Sequence, residues 1–341
     1  MSAHATRRSL IRGITAATAV ASLTTGLAAC GGNSDAATTT GNAKSGEVVV
    51  GRVSNGAATQ TAIKVSEVKS ISAELPDSVK KSGKLVIGEG ALPAGFPPLA
   101  YVGSDQKTLT GSEPDLARLL AAVFGLKPDI KNSTWENMFV GIDSGKVDVA
   151  LSNITDTEER KKKYEFASYR QDNLAFIVPK KSTWNFDGNY ENLAGRTIAV
   201  GSGTNQEKIL LEWQSKLAKE GKKVTVKHFQ DSTSTFLALN SGKIDASFGP
   251  NPGFAYHNRQ TAGTPSATRT AGTYSGAGAG LQGLIAATAK KGSGLAEPLA
   301  HAIDYLIENG QYAQWLKAYD LSDEAVTKSE VNPPGLPLDN S

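Results

Sequence analysis

Apolar positions fall into two recurring patterns along this chain. The runs Leu85-Val86-Ile87 and Ile198-Ala199-Val200 are each followed by a Gly-x-Gly, Gly88-Glu89-Gly90 and Gly201-Ser202-Gly203. That is the pattern of a buried strand ending in a tight turn. Downstream of each lies a helical pattern that stops in the same way. Trp135, Met138, Phe139 and Ile142 precede Ser144-Gly145-Lys146-Val147-Asp148, and Phe236, Leu237 and Leu239 precede Ser241-Gly242-Lys243-Ile244-Asp245. The glycine can take the left-handed conformation that ends a helix, the lysine complements the helix dipole, and the next residues enter a buried strand. A unit used twice predicts two similar α/β lobes. Further helices are predicted over 113–124, capped by Ser112 with Leu116, Leu119, Leu120 and Val123 on one face, and over 206–219 with Ile209, Leu210, Trp213 and Leu217. Near the C-terminus Leu299, Ile303, Leu306 and Ile307 form another amphipathic helix before Gly310, and a short one with Leu316 and Tyr319 follows. Strands alternating with helices imply mainly parallel sheets.

The first residues follow a different logic. After Arg7, Arg8 and Arg12, residues 13–29 carry no charge, and Leu27-Ala28-Ala29-Cys30 closes the stretch. The segment is too short and too rich in Thr and Gly to span a bilayer stably. It resembles a bacterial lipoprotein signal peptide, residues 1–29, whose removal would leave Cys30 as the lipidated start of an exported, membrane-anchored protein. Thr6-Arg7-Arg8-Ser9-Leu10-Ile11-Arg12 resembles a twin-arginine export signal, so both that route and the general secretory one stay open. Residues 30–46 are mostly small and polar and read as a flexible tether. Residues 47–83, an N-terminal extension, alternate weakly at Val48, Val50 and Val53 and then turn into a polar helix or loop; their pattern assigns them no role.

Loss of the leader changes the charge balance. The formal net charge is +3, and removing Arg7, Arg8 and Arg12 brings the 36 basic residues level with the 33 acidic ones. With no basic stripe, nucleic-acid binding is excluded. Cys30 is the only cysteine, so stability must come from apolar burial and not from disulfides. His228, His257 and His301 lack metal-ligand spacing, no Gly-x-Ser-x-Gly elbow exists, and neither Gly-x-Gly completes a dinucleotide fingerprint. No catalytic set, metal or cofactor is expected.

Several ordered motifs over residues 84–320 resemble one family. Gly95-Phe96-Pro97-Pro98-Leu99-Ala100-Tyr101 is similar to its aromatic-Pro-Pro-aromatic segment, and Leu109-Thr110-Gly111-Ser112-Glu113-Pro114-Asp115-Leu116-Ala117 to its Leu-Thr-Gly-Phe-Asp-x-Asp-Leu-Ala. Trp135-Glu136 before the Ser-Gly-Lys-x-Asp turn fits as well. Thr155 through Arg160, followed by Tyr164-Glu165-Phe166, resembles its Thr-x-x-x-x-Arg-x-x-x-x-Asp-Phe signature. The family is that of the solute-binding proteins of bacterial ABC importers for polar amino acids, family 3.

The resemblance implies a periplasmic-binding-protein-like, two-lobed α/β clamp with two crossover hinge strands. Lobe I would comprise residues 84–173 plus 282–329, lobe II residues 174–281, and residues 330–341 a C-terminal tail. By family position Arg160 and Thr155 hold the ligand carboxylate, and an arginine fork suits a carboxylate in two parallel bonds. Asn153 lies on the same loop. Thr204, Asn205 and Gln206 sit at a helix start that attracts an anion, while Phe96 and Trp135 pack around the ligand. One departure stands out: the family usually places an aspartate for the ligand ammonium where this chain has Pro250. Asn251, Glu89 or Glu113 would have to substitute, or the ligand lacks a free ammonium. The implied function is a lipid-anchored, extracytoplasmic monomer that passes an amino acid or similar carboxylate solute to an ABC permease and its ATPase. The alternatives are a cleft enzyme of the cyclohexadienyl dehydratase type, or a ligand sensor for a membrane partner.

Overall fold

The computed structural model describes residues 46–339; the leader, Cys30 and the tether up to residue 45 lie outside the described residues. The chain opens with an antiparallel hairpin, β1 (Glu47–Val50) and β2 (Thr61–Lys64), then α1 (Lys69–Glu74) and α2 (Asp77–Ser82). Val50 and Ile63 are fully buried. The Gly51 N–H donates to the Asp115 carboxylate at 2.6 Å, and the Thr59 N–H to the Ala318 carbonyl at 2.8 Å. The extension that the sequence left without a role is therefore part of the first lobe's core.

That lobe continues through β3 (Lys84–Glu89), the small hairpin β4 (Tyr101–Val102) and β5 (Leu109–Thr110), α3 (Ser112–Val123), β6 (Lys127–Asn132), α4 (Trp135–Asp143), β7 (Val149–Ala150) and β8 (Tyr164–Gln171). The second lobe contains β9 (Asn173–Pro179), β10 (Thr197–Gly201), α5 (Asn205–Lys219), β11 (Thr225–Phe229), α6 (Ser232–Asn240), β12 (Ala246–Pro250), α7 (Asn251–Thr261) and β13 (Thr268–Ser275). The chain then returns to the first lobe as β14 (Leu284–Lys290), α8 (Ala296–Glu308) and α9 (Gln311–Ala318).

The strand orders are β6-β3-β7-β14-β8 and β11-β10-β12-β9-β13. The repeated sequence unit is visible in both: β6-β3-β7 and β11-β10-β12 are matching parallel triplets. The sheets are mixed, however, and not mainly parallel. β14 runs antiparallel to β7 and β8, and β9 antiparallel to β12 and β13. These are the strands that pass between lobes. A strand leaving one sheet directly for the other has no helical crossover to reverse it, so it runs against the βαβ triplet.

A second correction concerns Ser112, which does not cap α3. It is the first helical residue, fully buried, with its hydroxyl 3.4 Å from the Glu113 carboxylate. Gly111 takes the capping position at φ 126°, where a Cβ would stand 2.1 Å from the Leu99 carbonyl oxygen. Only glycine fits that approach.

The two crossings meet at Asp172. Its N–H donates to the Gly283 carbonyl at 2.7 Å and its carbonyl accepts from the Gly276 N–H at 2.9 Å. The C-terminal segment makes a third connection. Val331 bridges to Ala167 on the edge strand β8, and Asn332 exchanges hydrogen bonds with Phe166, which covers an otherwise open sheet edge. Leu336 then pairs with 156–158, joins the second lobe's apolar core at 1 % exposure, and is followed by Leu338, whose carbonyl accepts from Lys208 of α5 at 3.0 Å.

Candidate ligand-binding cleft

Between the two sheets lies a cavity of about 230 Å³. The strand ends and helix starts of both repeats open onto it. The first lobe contributes Gly90, Phe96, Glu113, Trp135 and Asn153, and the second Thr204, Asn205, Gln206, Pro250 and Phe254. Of the residues singled out in the sequence, Phe96, Trp135, Asn153, Thr204, Asn205, Gln206 and Glu113 therefore line it. Arg160, Thr155, Asn251 and Glu89 do not.

Each of the four has a definite place. Arg160 donates to the Thr155 carbonyl at 2.8 Å and, across the cleft, to the Gly203 carbonyl at 3.2 Å. Its guanidinium lies 5.4 Å from the Trp135 ring and 5.6 Å from the Phe139 ring. Burial lowers its pKa to about 10 against the opposing pull of Asp172 and Asp156, so it remains a cation at neutral pH. Thr155 donates its hydroxyl to Asp172 at 2.6 Å. Asn251 begins α7 beside Pro250. Glu89 is fully buried with neither carboxylate oxygen hydrogen-bonded, and burial, reinforced by Glu113, pushes its pKa well above the usual range.

Glu113 is the cavity carboxylate with the fullest set of partners. One oxygen accepts from Arg170 at 3.1 Å, and the other from the Asn153 N–H at 3.2 Å and from the Tyr169 hydroxyl. Arg170 also pairs with Glu324 and Asn153. Asn153 itself sits at φ 52°, a left-handed conformation that asparagine tolerates better than most residues. The network holds the loop that carries Asn153 against the cavity floor.

Several contacts join the lobes across the cleft. The Trp135 indole N–H donates to the Gly203 carbonyl at 3.3 Å, and the Ser232 hydroxyl to the Gly95 carbonyl at 3.1 Å. Phe96 meets Phe254 edge to face with ring centroids 6.0 Å apart. At the hinge, Asn205 donates to the Asp172 carboxylate and to the Gly276 carbonyl, both at 2.9 Å. Burial raises the Asp172 pKa, opposed by its bonds from Thr155 and Asn205 and by Arg170. At the start of α5, the Thr204 hydroxyl accepts from the Glu207 N–H while Glu207 accepts from the Gly203 N–H at 2.6 Å, a reciprocal cap.

The sequence did not single out Ser232, Phe236 or Phe254 as cleft residues, nor Asp172 at the hinge. Ser232 and Phe236 share α6, but Asp172 and Phe254 lie far from them in sequence, and none carries a motif that points to the cleft. Among the described residues no group of His, Cys, Asp and Glu is arranged to hold a metal.

Comparison with known proteins is consistent with this geometry. The family model for bacterial extracellular solute-binding proteins, family 3, matches residues 91–321. The L-cystine-binding protein TcyJ of Escherichia coli K12 is 34% identical over 181 residues, covering 52% of this chain and 64% of that protein. The arginine-binding protein ArgT of Corynebacterium glutamicum is 27% identical over 269 residues, 77% of this chain and 84% of its own. Among solved structures, an ancestral arginine-binding protein bound to arginine superposes with a TM-score of 0.59 at 27% identity, covering 70% of this chain and 98% of its own. With the family matched over both lobes and the cleft between them, this chain belongs to the bacterial extracellular solute-binding proteins of family 3.

Proposed function

We propose that this protein is the solute receptor of an ABC importer and closes on an amino acid or amino-acid-like carboxylate solute in the interlobe cleft. The observation that carries the reading is the cavity itself. It is lined from both lobes, small enough for a single such solute, and spanned by contacts that exist only when the lobes approach. The named ligands of the relatives, cystine and arginine, supply the solute class.

In this mechanism Arg160, which stands outside the cavity lining in this structure, turns an N–H to the solute carboxylate as the solute enters, while Thr155, its hydroxyl held by Asp172, fixes Arg160 through its carbonyl. The guanidinium has five N–H donors; it donates to the Thr155 and Gly203 carbonyls and can donate to a further oxygen without giving these up. Thr204, Asn205 and Gln206 at the start of α5 add the attraction of a helix N-terminus from the other lobe. Solute bound by both lobes shifts the open and closed populations, and no covalent step is involved. Cys30 would anchor the receptor outside the membrane by its lipid, beside the permease and ATPase.

The test is thermal unfolding of the protein against a panel of amino acids, opines and betaines, in wild type and Arg160→Ala. A ligand that binds only the folded form raises the midpoint by mass action. Wild type should shift with at least one panel member and Arg160→Ala with none. An unchanged shift in the variant refutes the assignment of Arg160.

A further inference from the structure

The cavity is chemically uneven. Its end at β12 and α7 is formed by Gly249, Pro250 and Phe254 on one side and Phe96 on the other, with Phe236 behind. Phe254 meets both Phe96 and Phe236 edge to face, with centroids 6.0 and 6.2 Å apart. Phe236 in turn stacks on His257 at 3.5 Å, and burial lowers the His257 pKa, which favours the uncharged imidazole. Of the lining carboxylates, the second lobe supplies Asp231, which is engaged by the Ser234 N–H and hydroxyl, each at 2.8 Å.

Gly253 makes this arrangement possible. A Cβ there would stand 2.1 Å from Cε1 and 2.2 Å from Cζ of Phe96. Its absence lets the Phe96 ring lie directly on the first turn of α7. Pro250, at the cap of that helix, has neither a side-chain hydrogen bond to offer nor an N–H. An ammonium lodged here would lose its hydration without gaining a carboxylate, whereas an apolar group would gain contact with rings on two sides.

We propose that this end of the cavity is an apolar subsite that takes an uncharged hydrocarbon group of the solute, with Gly253 admitting the Phe96 ring that walls it. The inference rests on the solute-binding reading above and narrows its chemistry. The solute carries its polar end toward Asn153 and the start of α5, and has no ammonium where it meets Pro250.

A pair of small probes of equal shape tests the subsite directly. Isobutanol and isobutylamine, the latter a cation at neutral pH, are titrated into ¹⁵N-labelled protein while the Gly249 and Gly253 amide resonances are followed. Isobutanol should move them at a concentration at least tenfold lower than isobutylamine. Pro250→Asp should reverse that order, and Gly253→Ala, which pushes Phe96 away, should weaken the isobutanol response about tenfold. Equal or stronger response to isobutylamine in wild type overturns the proposal, as does no response of these amides to either probe. Should either variant fail to fold, the wild-type comparison decides alone. The outcome is separate from the thermal panel. A protein that responds to isobutanol at Gly249 and Gly253 but shifts with no panel solute keeps the subsite and loses the solute class.

Discussion

Replacing Arg170 by methionine should destabilise the protein far more than its single position suggests. Arg170 is 1 % exposed and lies between two carboxylates, Glu113 at 0 % and Glu324 at 4 %. Burial works against its charge, but Glu324 and Glu113 more than offset this and hold its pKa above the ordinary value. Methionine fills a similar volume and removes the cation, leaving two buried carboxylates without their shared partner. Breaking a buried pair in this way costs about 3–5 kcal/mol. Glu113 keeps its Tyr169 and Asn153 donors, which argues for the middle of that range, about 4 kcal/mol. In a chain of this size that corresponds to a fall in melting temperature of roughly 10 °C. Urea unfolding followed by circular dichroism at neutral pH measures it. The triple variant Arg170→Met, Glu113→Gln, Glu324→Gln removes all three charges together and should recover more than half of the loss, because an apolar or neutral replacement of a whole ion network is often nearly free. A loss below about 1 kcal/mol in the single variant, within the range of an exposed pair, would refute the reasoning, and so would a triple variant no more stable than the single.

The remaining predictions concern other buried acids and the C-terminal segment. Glu89 has no hydrogen-bond partner and a pKa pushed up by burial and by Glu113. The unfolded chain therefore ionises first, and stability falls as pH rises above the ordinary carboxyl value; Glu89→Gln should melt higher than wild type, by more at pH 8 than at pH 5, and an equal gap at both would disprove the ionisation. Asp156 is raised from 3.8 to about 7, chiefly by burial and despite Lys161 at 3.5 Å. By the same sign, wild type should lose stability between pH 4 and 7, at most about 4 kcal/mol at 1.36 kcal/mol per unit, and Asp156→Asn should flatten that slope in a series of melting curves. Leu336→Ala removes the apolar anchor of the C-terminal segment in the second lobe and should cost about 2–5 kcal/mol. It should also enlarge the radius of gyration measured by small-angle scattering, and an unchanged radius would show that the segment does not hold the lobes together.

Much of the fold was legible because it is local and repeated. The Ser-Gly-Lys-x-Asp stops at 144–148 and 241–245 mark the same point in both parallel triplets, and each helix written as an apolar face formed within a few residues of its expected bounds. What the pattern could not show depends on contacts between distant segments. Ser112 looks like a cap in sequence, yet the approach of Leu99 leaves room only for Gly111 at that position. Leu336 is a lone apolar residue between prolines at 334 and 337, with no period to announce that it enters a core. Arg170, Glu113 and Glu324 belong to three separate elements, and only the folded sheet brings them together.

The cleft illustrates why motif and site diverge. The signature that contains Arg160 was readable, but the cation it supplies is turned toward the Thr155 and Gly203 carbonyls and two aromatic rings, outside the cavity lining. That geometry gives Arg160 a part in bringing the lobes together, through its bond to the Gly203 carbonyl. With the bonds of Trp135 to Gly203 and of Ser232 to Gly95, the protein's own cross-cleft hydrogen bonds favour approach of the lobes by roughly 0.5–1.5 kcal/mol each. A solute then needs to supply only the difference in binding between open and closed forms to complete the shift. Selectivity therefore falls to the residues that line the cavity without bridging it. At the α7 end those include Gly249 and Pro250, neither of which carries a charge.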